Sequence, residues 1–244
     1  RYLYLGDSKL DTPENLAAAQ QTAGEFLCAG VFTRPLQARF REVRNKLRPV
    51  DYCSQADAKR PPADRDQYQA CEVSDQVAGL FAGRNVQVKY RLIFVHSSAK
   101  AQQQADTRER HLTKIRAEFA QVEKILGKYS LKTEAAIRRR LEQARGKYTE
   151  GKLFTYTLAS TKGQFTLTWQ VDEAALKQQQ ALEGVFVLKT NLPKSEHAIA
   201  PVLAKYREQI QVEKRFHHLK GPLAVTPMFL ENPKRIAGLL IILM

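Results

Sequence analysis

Apolar residues dominate Tyr2-Leu3-Tyr4-Leu5 and stop at Gly6-Asp7, a pattern that predicts a short strand closed by a turn. Asp11-Thr12-Pro13-Glu14 then supplies capping side chains and a proline suited to a first helical position, so a helix is expected through Ala23, closed by Gly24. Phe26, Leu27, Cys28, Val31 and Phe32 predict a second strand over 25–33. The order strand, helix, strand within so short a stretch is the rhythm of a mixed or parallel sheet. Leu36, Phe40, Val43 and Leu47 recur at helical spacing, and the polar, proline-containing stretch 48–69 reads as a loop. Val86, Val88, Tyr90, Leu92 and Phe94 alternate, which predicts a strand over 86–96. From Thr107 the period changes: Leu112, Ile115, Phe119, Val122 and Leu126, then Ile137, Leu141 and Ala144, describe a helical hairpin over about 107–147. Segments 153–160 and 164–171 alternate around Thr161-Lys162-Gly163 as a β-hairpin. A short helix at 174–181, a strand at 185–189, a long helix at about 199–219 and an apolar helix starting at Asn232-Pro233-Lys234 complete the expected order.

Composition then sets the class of partner. The 244 residues carry 39 Lys plus Arg against 25 Asp plus Glu, a net charge of +14, and 43% of residues are hydrophobic. So large an apolar fraction excludes a disordered basic tail, and the cation excess predicts a polyanionic partner, nucleic acid above an anionic membrane. Cys28, Cys53 and Cys71 lack CxxC spacing, so a disulfide framework and a zinc ribbon are not indicated. The longest apolar run, Ile236 to Met244, is well short of the roughly 18 residues that cross a bilayer. The absence of an initiator Met and of a signal sequence before Tyr2-Leu3-Tyr4-Leu5, and the apolar helix still running at Met244, give the expectation of a fragment.

On a helical wheel, residues 206–220 have two polar faces. Arg207, Glu208, Gln211, Lys214, Arg215 and His218 form a broad face of solvated composition. Tyr206, Gln209, Glu213, His217 and Lys220 form a narrow stripe between Leu203 and Ile210 on one side and Val212, Phe216 and Leu219 on the other. A polar stripe flanked by apolar ones enters the protein or lines a cleft, and Glu213 at its centre calls for cations or metal ions. A buried pair of Glu213 with Lys220 or His217 that only positions the helix is the alternative reading. Asp7, at the carboxyl end of the first strand, stands where ligands bind in open α/β sheets, although a turn or cap role is common for an Asp there.

Taken together, these residues resemble the DDE transposases of bacterial insertion sequences, in the branch whose third carboxylate lies in a motif of Tyr, two residues, Arg, three residues, Glu, six residues, Lys. Tyr206, Gln209, Glu213 and Lys220 keep that spacing, with Gln209 in place of Arg. Leu5 to Leu16 is similar to the segment around the family's second catalytic Asp, Leu182 to Asn191 to the strand before the Glu helix, and Pro227 to Ile236 to the start of its downstream helix. The resemblance implies an α/β, ribonuclease-H-like core, incomplete at its N-terminus and interrupted by a β-rich insertion domain with a helical hairpin. Core parts would lie at 1–35 and 193–244 and the insertion at 36–192. It implies that Asp7 and Glu213 are the second and third catalytic carboxylates and ligands of Mg²⁺ or Mn²⁺, and that Tyr206 and Lys220 contact DNA phosphates. Gln209 occupies the position of the motif's Arg. The implied reaction is metal-dependent cleavage of double-stranded DNA at element ends and strand transfer into target DNA by a synaptic homodimer in the bacterial cytoplasm, associated with the nucleoid and not with a membrane. Two ions held by carboxylates serve such chemistry by activating the attacking oxygen and stabilising the leaving one. The first catalytic Asp belongs on a strand upstream of Asp7, so residues 1–244 alone are expected to be inactive.

The basic hairpin face, Lys114, Arg116, Arg138, Arg139, Arg140, Arg145 and Lys147, is a candidate phosphate surface, or equally a solvated face of mixed charge. Gly146 to Leu153 mimics a phosphate loop in spacing but follows a helix and precedes a strand, the wrong context. Trp169 reads as a packed hairpin residue. A non-catalytic nucleic-acid-binding protein, a metal-dependent nuclease on the same carboxylates and the remnant of a degraded transposase remain as alternatives.

Overall fold

The computed structural model describes residues 2–22, 24–161 and 164–208. They form a mixed α/β fold built on a six-stranded sheet with helices on both faces, and a second, smaller core beside it. Strand β1 (Tyr2–Gly6), helix α1 (Pro13–Thr22) and strand β2 (Gly24–Gly30) make a parallel strand–helix–strand unit, in register from Tyr2↔Gly24 to Gly6↔Cys28. Helix α2 (Arg34–Val43) follows with proline in its first turn. Strand β3 (Arg48–Val50), β4 (Tyr68–Phe81), β5 (Arg84–Ser97) and, much later in the chain, β8 (Val185–Thr190) complete the sheet in the order β1-β2-β8-β5-β4-β3. β8 runs antiparallel to both β2 and β5, so β1, β2 and β5 share one direction and present their carboxyl ends on one side of the sheet.

The two faces of the sheet follow from the side-chain period of two. Phe26, Cys28, Leu92, Phe94 and Val187 face α1 and α2, where Leu16, Ala17, Phe40 and Val43 cover them. Leu27, Ile93, Val95 and Leu188 face the other way, onto Val202 and Leu203 of the helix that occupies residues 199–208, α6. Burial on both faces explains why the alternation of β5 gives way to the continuous apolar run Leu92 to Val95, and why Val185 to Leu188 of β8 are all apolar. At the β4 crossing a Cβ on Gly79 would stand 2.0 Å from the carbonyl oxygen of Pro13, so α1 reaches the sheet only because that position has no side chain.

Between β5 and β8 the chain builds the smaller core. Helix α3 (Ser98–Lys124) and helix α4 (Glu134–Gly146) pack Leu112, Ile115, Phe119, Ile137 and Leu141 against the hairpin of β6 (Phe154–Thr161) and β7 (Gln164–Val171), with α5 (Glu173–Gln180) alongside. Trp169 lies 5.6 Å from Phe119 and 6.0 Å from Phe154 between ring centroids, the packed hairpin residue that was expected.

Three elements differ from the sequence expectation: β3, a three-residue strand paired with β4 inside the stretch 48–69 expected as a loop, then β4 and the start of α3. β4 spans residues left without a predicted strand, because Gln69, Glu72, Ser74, Asp75 and Gln76 dilute its alternation. Full pairing with β5 through a two-residue turn, Ala82-Gly83 with positive φ at both, makes it a strand. α3 begins at Ser98 and not at Thr107. Its first turns are too polar to show a period, but Ser97 caps Lys100 N–H and Asp66 accepts from the Ala99 N–H and both serine hydroxyls. Strands on each side of residue 36 belong to the same sheet, since β2 pairs with β8. Among the described residues no helix is long and apolar enough to cross a membrane.

Candidate functional site

Asp7 follows β1 directly, at the carboxyl end of an edge strand. The tight loop after it is permitted by Gly6, where a Cβ would meet Leu10 at 2.8 Å, and is closed by bonds from Leu10 N–H to the Asp7 carbonyl and Asp11 N–H to the Ser8 carbonyl. The Asp7 side chain is exposed. One carboxylate oxygen accepts from Lys9 N–H at 2.8 Å, and among the described residues the other has no donor. Such a carboxylate offers a hard oxygen ligand to a divalent ion, and among the described residues no group of three or more His, Cys, Asp or Glu stands together to hold a metal.

Beneath Asp7 the register aligns Gly6, Cys28, Lys189 and Leu92 across β1, β2, β8 and β5. The Lys189 ammonium, almost buried, pairs with Asp11 Oδ1 at 2.6 Å, while Asp11 Oδ2 accepts from Val31 N–H at 3.0 Å. Lys189 also lies 5.3 Å from the centre of the Tyr90 ring. Asp11 is therefore committed to structure, holding the β1–α1 loop to β2 and β8, and leaves Asp7 as the carboxylate facing solvent. The sequence did carry a signal for Lys189: it occupies a core-facing position in the alternation Val185, Val187, Lys189.

Burial first, then the negative charges of Asp11 and Asp7 working against Lys189, pushes the Cys28 thiol up to about 12. Burial also raises Cys71, while Cys53 is exposed. Thiolate is the reactive form, so native protein titrated with a disulfide reagent at about pH 8 should show Cys53 reacting alone and quickly. Denaturant should release all three thiols; rapid labelling of Cys28 in the native state would contradict this packing.

The helical motif is reached only at its start. Tyr206 lies on α6, partly buried, its ring stacked on Phe186 at 6.4 Å and packed against the face that carries Leu27 and Leu188. Gln209, Glu213 and Lys220 lie outside the described residues, as do His217 and the expected helix from Asn232, so the structure does not bring Glu213 and Asp7 together or keep them apart. Arg207 differs from its place on a solvated face. Its guanidinium is held 5.5 Å from both the Tyr68 and Phe186 rings and donates to the Tyr68 hydroxyl at 3.0 Å, while Nε is buried and has no partner among the described residues. Tertiary contact with β4 and β8 overrides the helical wheel there.

On the hairpin, Arg138 pairs with Glu134, Arg140 with Glu118 and Arg145 with Glu142, and Lys114 sits over the Tyr148 ring. Arg116, Arg139 and Lys147 keep no ion pair among the described residues. This face is thus of mixed charge, with three of its seven cations neutralised. Compared with known proteins, the chain matches no family model, and no curated protein or solved structure is significantly similar to it.

Proposed function

We propose that the chain is part of a DDE transposase, a metal-dependent enzyme that cleaves double-stranded DNA at element ends and transfers the freed 3′ end into target DNA. One observation carries the reading: the edge strand β1 ends at a solvent-facing Asp7, and the helix leading into the Tyr206, Gln209, Glu213, Lys220 motif packs on the same sheet. The like-directed β1 and β2, joined by α1, suit one side of a ribonuclease-H-like core, and the α3 to α5 lobe suits an inserted domain. Among the described residues β1 pairs on one edge only, and Tyr2 is 82% exposed, so that edge suits an upstream strand bearing the first catalytic Asp.

In this reading Asp7 and Glu213 are metal ligands, and Mg²⁺ or Mn²⁺ supplies the activation of an attacking hydroxyl and the stabilisation of a leaving oxygen. Lys220 holds a phosphate beside the reacting strand, and Tyr206 contributes from a ring fixed against Phe186. Gln209 offers a neutral donor where the motif has a cation, which leaves phosphate binding there weaker. A bacterial, nucleoid-associated location and a synaptic homodimer belong to the same proposal.

The test is a strand-transfer assay with Mg²⁺ on the full-length protein and DNA carrying the element ends. Joined products support the proposal. Nicking without joining identifies a metal-dependent nuclease with the same carboxylates, and binding without either identifies a nucleic-acid-binding protein. Residues 1–244 alone are expected to bind DNA and to form no joined product.

A further inference from the structure

We propose that a groove around the first turns of α3 binds the phosphodiester backbone of duplex DNA and leads it toward the Asp7 end of the sheet. The inference rests on the nucleic-acid reading above and names the surface that holds the duplex. Two cavities, of about 920 and 820 Å³, flank α3 and share Lys100 and Gln103 in their walls. Arg41 of α2, Lys152 and Gln178 of α5 line the first; Arg207 of α6 lines the second. The groove thus draws on both cores and on both faces of the sheet.

Its charge is the argument for a polyanion. Arg41, Lys152, Lys100 and Arg207 have no carboxylate partner among the described residues. Arg41 and Lys152 are exposed, whereas Lys100 and Arg207 are held 5.1 and 5.5 Å from the centre of one ring, that of Phe186. Burial first, and then the neighbouring Arg207 charge, holds the Lys100 ammonium below its usual range. An incoming phosphate relieves that repulsion. The carboxylates in the walls are largely spoken for. Glu183 pairs with Arg108, Glu150 with His111, Asp57 with Arg60, and Asp66 accepts from Ser97, Ser98 and Ala99; exposed Glu208 is left without a partner among the described residues. Gln103 and Gln178 add amide donors not engaged by other described residues, the neutral groups that accompany cations on phosphates.

Position gives the groove its meaning. α2 and α3 start where β2 and β5 end, and both strands run parallel with β1, so the groove and Asp7 lie at the same end of the sheet. The start of α3, Ser98, is six residues past Leu92, the residue aligned with Gly6, a rise of about 20 Å along β5.

The experiment measures binding of the full 244-residue chain to a fluorescent duplex oligonucleotide over about 50–200 mM NaCl, where log K falls with log salt at about 0.9 per phosphate contact. The double variant Arg41→Ala/Lys152→Ala removes two exposed side chains, and its slope should fall by about 2, with binding weakened about tenfold or more. Lys128→Ala/Lys132→Ala, exposed at the far turn of the helical hairpin, serves as the charge-matched control and should leave the slope close to that of the unaltered chain. An unchanged slope in the groove variant, or an equal fall in both variants, overturns the groove while leaving nucleic acid as the partner. No binding by the unaltered chain at low salt overturns the partner class itself.

Discussion

Replacing Asp7 by Asn in the full-length protein is expected to abolish Mg²⁺-dependent cleavage and strand transfer, by about a thousandfold or more, while DNA binding and thermal stability stay as they were. The size follows from the proposed role. A ligand change that forfeits ~4 kcal/mol of the charge stabilisation a metal ion supplies costs about three powers of ten in rate. The selectivity follows from the site. Asp7 is exposed, its side chain makes one bond to Lys9 N–H, and an Asn oxygen can accept that bond in the same geometry, so the turn after β1 keeps its shape. Substitutions at such exposed positions move stability by about 0.5 kcal/mol or less. Glu213→Gln should give the same loss of chemistry with retained DNA. Quantified nicking and joined products, beside a binding isotherm and a melting curve, check both variants. An Asp7→Asn protein that still joins ends would remove Asp7 from the triad.

The second large effect is on folding. Phe94→Ala should destabilise the protein by about 3–5 kcal/mol, the range for emptying a buried aromatic site. Phe94 is fully buried on the central strand β5, with Phe40 at 5.4 Å and Phe32 at 6.4 Å, and it is thereby the meeting point of β5, α2 and the connection from β2 to α2. A loss of this size is a large part of the 5–15 kcal/mol that holds a typical domain together. Urea unfolding followed by far-ultraviolet circular dichroism should show a lower midpoint. A change below about 1 kcal/mol would mean that the site collapses around the missing ring, against the rigid packing of three elements described here.

Much of the fold was legible because the segments that form it have strong local periods. Leu112, Ile115, Phe119 and Val122 sit at helical spacing and all are buried in α3; Val88, Leu92 and Phe94 alternate and all face one core in β5. β4 was not legible. Its polar residues lie on a strand that exists because β5 pairs with it along its whole length, and a partner strand is not a property of the segment itself. The start of α3 was hidden for a related reason: its cap depends on Asp66, more than thirty residues away.

The candidate site divides in the same way. From Gly6-Asp7 after an apolar strand, the sequence placed a carboxylate at a strand's carboxyl end, and the structure has it there, facing solvent. Local pattern offers Asp11, four residues on, as a helix cap, yet Thr12 takes that role by accepting from Asn15 N–H. The Lys189 ammonium, brought across from β8, makes Asp11 a structural partner. Arg207 was assigned to water by its helical angle, yet Tyr68 and Phe186 from two other strands enclose it.

What the sequence by itself determined is therefore the class of elements, the surplus of positive charge and the spacing of the Tyr206 to Lys220 motif. These are properties of neighbouring residues and of totals. Tertiary structure decided which strands are adjacent, which carboxylate is free, and which cations stay unpaired around α3. Those outcomes depend on contacts between residues far apart in the chain, where burial turns a charge into either a satisfied pair or an open site.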